Sequence, residues 1–361
     1  MSKIARILVL MLVAAVATSE GRAASVHPIE RAADRLVSEQ LPAGDWGEPD
    51  AIGESVLGLV HAFELLGKDD YRIAAEKGGD KILSDAGYTA PTFTVPTFPA
   101  EAYALTRLGD ISVTPSKWED AASDLFAQIE TDTGTGTFLD QIVADQTAGG
   151  DAGITSAVHD IARLSVAADQ VNATDTGIYR SKLIETLGEV DDSDDAPVLA
   201  LGAGVWGLAS TGPLDGTTLP NGPVDPLKLG GRPLSGLPGF LAGFQTVDGN
   251  FASFFDGSSP GFTETTVFAD LGLRAARSSD PVAFAFSSEI DLVNALLLDG
   301  IDPDGFVFEE IGLPGSGAAH FLAGETLEAV VPLPPAVWMG LILLGGMGVF
   351  KKVQRKMRSA A

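Results

Sequence analysis

A short phrase that recurs along the chain constrains its fold more than any other feature. Gln40 to Trp46, reading QLPAGDW, returns as QTVDGNF at Gln245 to Phe251 and, more faintly, as IDPDGF at Ile301 to Phe306. Each copy follows a segment whose apolar residues have helical spacing and precedes a more apolar segment. A repeated helix–turn–helix unit buries its apolar face only by stacking on its neighbours. The phrase therefore predicts an array of helical hairpins.

The residue types within the phrase explain the turn. A glycine stands at the same position in all three copies, and glycine adopts the positive φ that a tight turn demands. An aromatic residue follows one or two positions later, where we expect it to fill the seam between hairpins. The glycines are Gly44, Gly249 and Gly305, and the aromatic residues are Trp46, Phe251 and Phe306.

The pattern of apolar residues predicts helices throughout residues 25–330 and no convincing strand. Amphipathic segments alternate with segments that are apolar on most sides, as expected for outer and inner helices. This alternation predicts an all-α fold, an α/α toroid of about six helical hairpins around a central cleft. A stretch rich in glycine and proline, Thr211 to Gly239, interrupts the rhythm. The predicted helices span 27–40, 53–66, 69–83, 100–108, 115–130, 151–168, 174–187, 196–210, 231–244, 263–277, 282–299 and 318–330.

The Gln-x-x-x-Gly-x-aromatic turn before an apolar helix resembles the repeat of the terpenoid cyclase and protein prenyltransferase toroids, over about residues 27–330. The resemblance implies the same architecture. It also draws attention to Asp192, Asp194 and Asp195, whose D-x-D-D spacing is similar to the proton-donating motif of squalene-type cyclases. A cationic cyclisation favours a pocket rich in aromatic side chains, whereas residues 25–330 contain few tryptophans. A cyclase-like enzyme is therefore the third hypothesis.

The first 24 residues have the organisation of an export signal. Lys3 and Arg6 precede an apolar run from Ile7 to Ala17, and small residues follow at Gly21 and Ala23. Residues 1–24 are therefore predicted to be a signal peptide that engages the secretory translocon and is removed by signal peptidase.

The last 31 residues have three parts: a proline-rich motif, an uncharged run from Ala336 to Phe350 and a basic cluster. The run crosses a bilayer only if the proline motif lies at its interface, and the cations predict a cytoplasmic C-terminus. The motif is Val331, Pro332, Leu333, Pro334 and Pro335, and the basic cluster is Lys351, Lys352, Arg355, Lys356 and Arg358.

This order resembles the C-terminal sorting signal of the PEP-CTERM family, in its VPLP-type variant, with Leu333 where a glutamate is usual. The resemblance implies that an exosortase processes residues 331–361. The protein would be anchored in the inner membrane by its C-terminal helix before processing, and residues 25–330 would then reach the cell surface or extracellular matrix. A plain single-pass membrane anchor is the alternative.

Charge and composition narrow the classes of partner. The chain has a formal net charge of −26, and such a chain repels the phosphates of nucleic acids, which excludes them as partners. No cysteine is present, which excludes disulfides, thiolate metal sites and cysteine nucleophiles.

Carboxylates near the starts of predicted inner helices are the candidate catalytic groups. Glu54 and Glu264 have this position, and His320 stands as far after Gly305 as Glu264 stands after Gly249. Together with His159 they would form a ring at one rim of the toroid. Two carboxylates across a cleft can serve as general acid and base on a glycoside, or in elimination from a uronic acid. The alternative is that these acids only complement the helix dipole.

The histidines lack the spacing of a zinc motif, so no metal site or cofactor is predicted from them. Calcium is the exception left open. Four acids lie close together around Gly305, although they do not complete an EF-hand loop. These acids are Asp302, Asp304, Glu309 and Glu310.

The favoured hypothesis from sequence is an exported, exosortase-sorted protein of the cell surface or matrix, with a toroid that binds a carbohydrate or peptide, or serves structurally in extracellular polysaccharide, without catalysis. The alternative hypothesis is a glycan hydrolase or lyase that uses the carboxylates at the rim.

Overall fold

The computed structural model describes residues 28–48, 51–95, 97, 99–148, 153–257, 262–311 and 319–330. Within these ranges the chain forms thirteen α-helices and isolated β-bridges but no strand, so the all-α prediction is confirmed for this part. None of the helices described there is long and apolar enough to cross a membrane. The predicted signal peptide and the predicted sorting tail both lie outside the described residues.

The helices are numbered in chain order. Helix α1 spans 28–39, α2 Ile52–Leu66, α3 Asp69–Asp85, α4 Pro99–Ile111, α5 Pro115–Gln128, α6 Thr135–Thr147, α7 Gly153–Gln170, α8 Thr176–Leu187, α9 Pro197–Thr211, α10 Leu237–Ala242, α11 Thr263–Ser279, α12 Ser287–Asp299 and α13 His320–Val330. One turn of π-helix, Ile129–Thr133, joins α5 to α6.

Six helices contact one another in an order that returns to its start. Helix α2 packs against α4, α4 against α7, α7 against α9, α9 against α11, α11 against α13, and α13 against α2. Helices α3, α8 and α12 each contact two successive members of this set. The six, called the inner helices below, are the second helices of the six predicted hairpins. Their apolar residues cover more than one face, as burial between several neighbours requires.

The contact between α2 and α13 is close because glycines lie at it. A Cβ atom on Gly324 would stand 2.2 Å from the carbonyl oxygen of Glu54, and one on Gly58 would stand 2.6 Å from the Cα of Gly324. Larger residues would force the helices apart. This approach places Glu325 beside the start of α2, which matters for the site described below.

The three repeated turns have the backbone that the sequence predicts. Gly44, Gly249 and Gly305 adopt φ angles of 107°, 92° and 85°. Of the aromatic residues, Trp46 and Phe251 are buried, with Trp46 donating from Nε1 to the carbonyl of Leu36 at 2.8 Å. Phe306 is partly exposed, and the guanidinium of Arg35 lies over its ring at 3.1 Å.

Each turn also packs against a particular outer helix. The glycine of the first faces the carbonyl of Lys77 in α3, that of the second faces Leu292 in α12, and that of the third faces Arg31 in α1. Arg31 also donates to the carbonyl oxygens of Ile301 and Asp302, both at 3.0 Å. The third turn therefore attaches the last part of the described chain to its first helix.

Three helix predictions need correction. Helix α6 was not predicted, because Thr135 and Leu139 are its only described buried residues and its apolar pattern is weak. The predicted helix 231–244 is reduced to α10, since prolines and glycines interrupt it. The predicted helix 282–299 begins later, at Ser287, because the Asp280 carboxylate accepts the amides of residues 282 and 283 and keeps them in a turn.

Candidate functional site

A buried arginine lies between three inner helices. Arg163 of α7 is 1% exposed, and its Nη1 lies 3.3 Å from Glu54 Oε1 of α2. Its Nη2 lies 3.0 Å from Glu325 Oε1 of α13, and its Nε donates to His159 Nε2 at 3.1 Å. His159 precedes Arg163 by one helical turn, which places both side chains on one face of α7. The guanidinium thus joins α2, α7 and α13.

Carboxylates outnumber cations around this arginine. Glu54, Glu325 and Glu328 are all buried, and the Oε2 atoms of Glu54 and Glu325 have no hydrogen-bond partner. Burial raises the pKa of all three carboxyl groups, against the opposing effect of Arg163. For Glu325 the neighbouring Glu264 raises the pKa further. Burial alone would lower the pKa of the Arg163 guanidinium, but the surrounding carboxylates outweigh it and the pKa is raised.

Three potential proton-transfer groups converge beside the arginine. One ligand-type atom from each of His159, Glu264 and Glu325 lies within 4.8 Å of the other two. His159 and Glu264 are half-buried, whereas Glu325 is enclosed. The His159 ring packs edge-on against Phe268 with centroids 4.6 Å apart, which fixes its plane. We call these three residues the central triad.

A cavity of about 570 Å³ opens beside the central triad, at the ends where four inner helices begin. Glu264 lines it. Thr263 fixes the start of α11 because its amide donates to the carbonyl of Glu309 at 2.9 Å and its hydroxyl donates to that of Phe308 at 2.6 Å. The cavity is lined by Thr155, Ser156, Asp195, Ala196, Leu199, Phe262, Glu264, Thr265, Glu309, Ala319, Phe321 and Leu322.

The structure brings together three of the four residues that the sequence places at the rim. His159 and Glu264 meet in the central triad, and Glu54 joins them through Arg163. His320 does not: its Nε2 lies 2.7 Å from Glu39 Oε2 and its Nδ1 lies 3.0 Å from Glu48 Oε1. His320 therefore connects α13 to α1 and to the turn that follows α1.

The acids of the D-x-D-D sequence mainly shape the loop before α9. Asp192 accepts the amide of Phe255 and Asp194 accepts that of Asp191, each at 2.7 Å. Asp195 lines the cavity, and its carbonyl accepts the Thr155 hydroxyl at 2.6 Å. This last bond holds the start of α7 next to the start of α9.

The predicted calcium ligands are spread along one loop. Asp302 Oδ1 accepts the amides of Asp304 and Phe306, both at 2.8 Å, while Glu309 lines the cavity. Among the described residues, the group of three converging potential ligands is the central triad. The acids at 302–310 do not form such a group. Calcium at residues 302–310 stays a prediction.

Sequence reasoning missed Arg163, Glu325 and Glu328. The available signal was a charged residue inside a helix predicted to be an inner helix. Arg163 lies within α7, and both glutamates lie within α13, whose described residues from Leu322 to Val330 are all buried. Charged residues are rarely buried without a partner, so these positions predict a charge cluster without showing which residues pair.

Comparisons with known proteins give similarities to solved structures but none in sequence. No protein-family model matches the chain, and no curated protein matches it. A solved structure of a polysaccharide lyase is similar, with a TM-score of 0.49 and 14% sequence identity, over 86% of this chain and 96% of the other.

Proposed function

We propose that this protein is exported and cleaves a polysaccharide by acid–base chemistry at the cavity beside the central triad. One observation carries the proposal. Glu264 lines a cavity large enough for a sugar unit and lies within 4.8 Å of both an imidazole and a second carboxylate. A concave site with converging titratable groups is the usual setting for such chemistry.

We further propose that the six inner helices form an α/α toroid, with the cavity at the end where these helices begin. The order of helix contacts, which returns from α13 to α2, supports this architecture. The attachment of the third repeated turn to α1 also supports it, because it joins the two ends of the described chain. In a toroid, residues at the starts of different inner helices converge although they are distant in sequence.

Cleavage of a glycosidic bond needs one group that gives a proton to the leaving oxygen and one that takes a proton from water. Glu264 and His159 are suited to these roles because both are half-buried, while Glu325 is enclosed behind them. The Nε2 of His159 accepts from Arg163, so the imidazole carries its proton on Nδ1 and is the group that gives a proton, while Glu264 takes one from water. Arg163, Glu54 and Glu325 would position the imidazole.

The charge of the cavity favours a neutral glycan. Its lining in the described part of the chain includes the carboxylates of Asp195, Glu264 and Glu309 but no lysine or arginine. An elimination reaction on a uronic acid needs a group that holds the substrate's carboxylate, and three carboxylates would repel it. Hydrolysis of a neutral stretch of polysaccharide is thus the favoured chemistry.

Purified protein incubated with the producing cell's own exopolysaccharide, and with a panel of neutral glycans, tests the proposal. We expect new reducing ends without the absorbance of unsaturated uronates. Reducing ends accompanied by that absorbance would replace hydrolysis by elimination. The absence of new reducing ends with every glycan would refute cleavage.

A second candidate function is glycan binding without catalysis. The contacts of Arg163 favour it, because a guanidinium that joins α2, α7 and α13 also serves to hold those helices together. The two functions differ in the effect of Glu264→Gln. A binding protein would show no polymer turnover before or after this change, while an enzyme would lose turnover.

We also propose export and surface sorting, on the strength of the sequence of residues 1–24 and 331–361. The partners would be the secretory translocon, signal peptidase and an exosortase. Replacing the five basic residues from Lys351 to Arg358 by glutamine, followed by cell fractionation, tests the sorting step. We expect the protein to be lost from the cell surface, and unchanged surface display would contradict the proposal.

A further inference from the structure

We propose that the central triad binds a divalent transition-metal ion, Zn²⁺ or Mn²⁺. His159, Glu264 and Glu325 come from α7, α11 and α13, and one potential ligand atom of each lies within 4.8 Å of the others. One imidazole nitrogen with two carboxylate oxygens is a donor set that suits these ions. Calcium prefers ligands that are all oxygen and should bind this site less well.

The distribution of charge supports a cation here. Three buried carboxylates, those of Glu54, Glu325 and Glu328, act on Arg163, and Glu264 acts in turn on Glu54 and Glu325. Arg163 offsets one of these charges, and Arg107, which also acts on Glu328, offsets part of another. In the interior of a protein an excess of like charge is costly, and a divalent ion between the acids would offset two more charges.

A separate observation concerns Glu325 itself. This side chain is 2% exposed, and its Oε1 accepts from Arg163 while its Oε2 has no hydrogen-bond partner. A buried carboxylate oxygen is normally satisfied, so a carboxyl group that converges with an imidazole and a second carboxylate and keeps one free oxygen fits a metal ligand. Arg163 would then orient Glu325 from behind, as the outer partners of metal ligands commonly do.

An ion at the central triad would draw its three ligand atoms closer together. Zinc lies about 2.0–2.2 Å from its nitrogen and oxygen ligands, so the three atoms must move closer together than their present spacing. Glu264 is half-buried at the cavity wall, and rotation of its side chain can supply this movement.

One consequence rests on the proposed function. A cation bound to Glu264 takes the lone pair that would accept a proton during cleavage, and a cation bound to His159 Nδ1 replaces the proton that this nitrogen would give. Metal binding and acid–base cleavage would then exclude each other, and the cation would inhibit the enzyme.

Calorimetric titration of the purified full chain, treated with chelator and dialysed, with ZnCl₂ and with MnCl₂ tests the site. About 0.15 M salt screens the acidic surface. We expect one saturable site, weakened at least roughly 100-fold by Glu325→Gln or Glu264→Gln, since loss of even an outer partner costs 10–100-fold. Glu309→Gln, which changes another acid of the same cavity, should leave the affinity unchanged. Equal binding by all four proteins, or no saturable binding, would overturn the proposal.

Circular dichroism of each variant shows whether it folds, and Glu264→Gln decides the matter should Glu325→Gln unfold, because Glu264 is half-buried. The two proposals fail separately. Saturable metal binding without any glycan cleavage keeps the metal site and removes the proposed function. Glycan cleavage that Zn²⁺ does not inhibit, in a protein that binds no metal, keeps the proposed function and removes the metal site.

Discussion

Arg163 Nη2 lies 3.0 Å from Glu325 Oε1, and their side chains are 1% and 2% exposed. This ion pair joins α7 to α13 across 162 positions of sequence, beside the cavity that Glu264 lines. A buried pair whose partner is removed leaves an uncompensated charge, which is far more costly than loss of a surface pair. The stability of the fold and the organisation of the site therefore depend on the same contacts.

Arg163→Met should lower the free energy of unfolding by about 3–5 kcal/mol at neutral pH, because Glu54 and Glu325 would lose their shared cation. Urea unfolding measures the change. Lys81→Met, which removes a surface ion pair with Asp85, is the matched control and should cost no more than about 1 kcal/mol. Adding Glu325→Gln to Arg163→Met should restore part of the loss. Similar costs for the two single variants would contradict a buried ion pair.

Asp270 should make the protein less stable as pH rises from about 4 to about 6. Burial raises its pKa to about 6, with Arg274 opposing. The folded state therefore holds a proton that the unfolded chain has already lost, and stability falls through this range. Asp270→Asn should remove up to about 3 kcal/mol of this pH dependence, at 1.36 kcal/mol per pKa unit. Urea unfolding at pH 4 and pH 7 measures this change in pH dependence. A surface change such as Asp299→Asn should leave the pH dependence of stability as it is.

His61 should act in the opposite direction. It is 1% exposed and belongs to the core, and neither of its ring nitrogens has a hydrogen-bond partner. Buried polar side chains usually have such a partner. Burial, with a smaller effect of Arg107, lowers its pKa to about 3. Below pH about 6.5 the unfolded chain binds a proton at His61 that the folded chain does not bind. The free energy of unfolding therefore decreases as the pH is lowered, by at most about 1.4 kcal/mol per pH unit.

His61→Leu should remove this acid sensitivity between pH 6.5 and 4, and urea unfolding at several pH values measures it. His61→Gln is the matched control, since it keeps a polar group but does not titrate. It should remove the same slope while lowering stability at every pH. An unchanged slope in both variants would show that His61 is accessible to protons.

The third repeated turn should tolerate no Cβ. Gly305 has a positive φ, and a Cβ on it would stand 2.5 Å from the carbonyl oxygen of Arg31 in α1. Gly134 also has a positive φ but nothing within 4 Å of its Cβ position. Thermal unfolding should show that Gly305→Ala costs more than Gly134→Ala by about 1–3 kcal/mol, the cost of overpacking. Equal costs would mean that α1 does not pack tightly on this turn.

Local patterns were enough to predict much of the fold. Helix α2 was recognisable because its apolar residues cover most of its surface, and the turn at Gly44 because glycine and an aromatic residue recur there. Both features are determined by neighbours in sequence. Helix α6 was missed because, among its described residues, only Thr135 and Leu139 are buried.

The site was only partly predictable, because its contacts are remote in sequence. Arg163 and Glu325 meet only after the inner helices assemble, and no local spacing connects them. His320 and Glu264 stand equally far after the repeated glycines, but they do not lie on the same side of their helices. Glu264 is the second residue of α11 and His320 the first of α13, and one residue turns a helix by about 100°. His320 accordingly contacts Glu39 and Glu48 instead of the central triad.

The rate at which reducing ends appear in polysaccharide treated with Glu264→Gln, compared with the unchanged protein, tests the proposed function most directly. Glu189→Gln is the control, because Glu189 is exposed and lies outside both the cavity lining and the central triad. We expect Glu264→Gln to slow cleavage by at least roughly 100-fold, the lower end of what acid–base catalysis contributes, and Glu189→Gln to leave it unchanged. Cleavage by Glu264→Gln at the rate of the unchanged protein would contradict the assignment of this site.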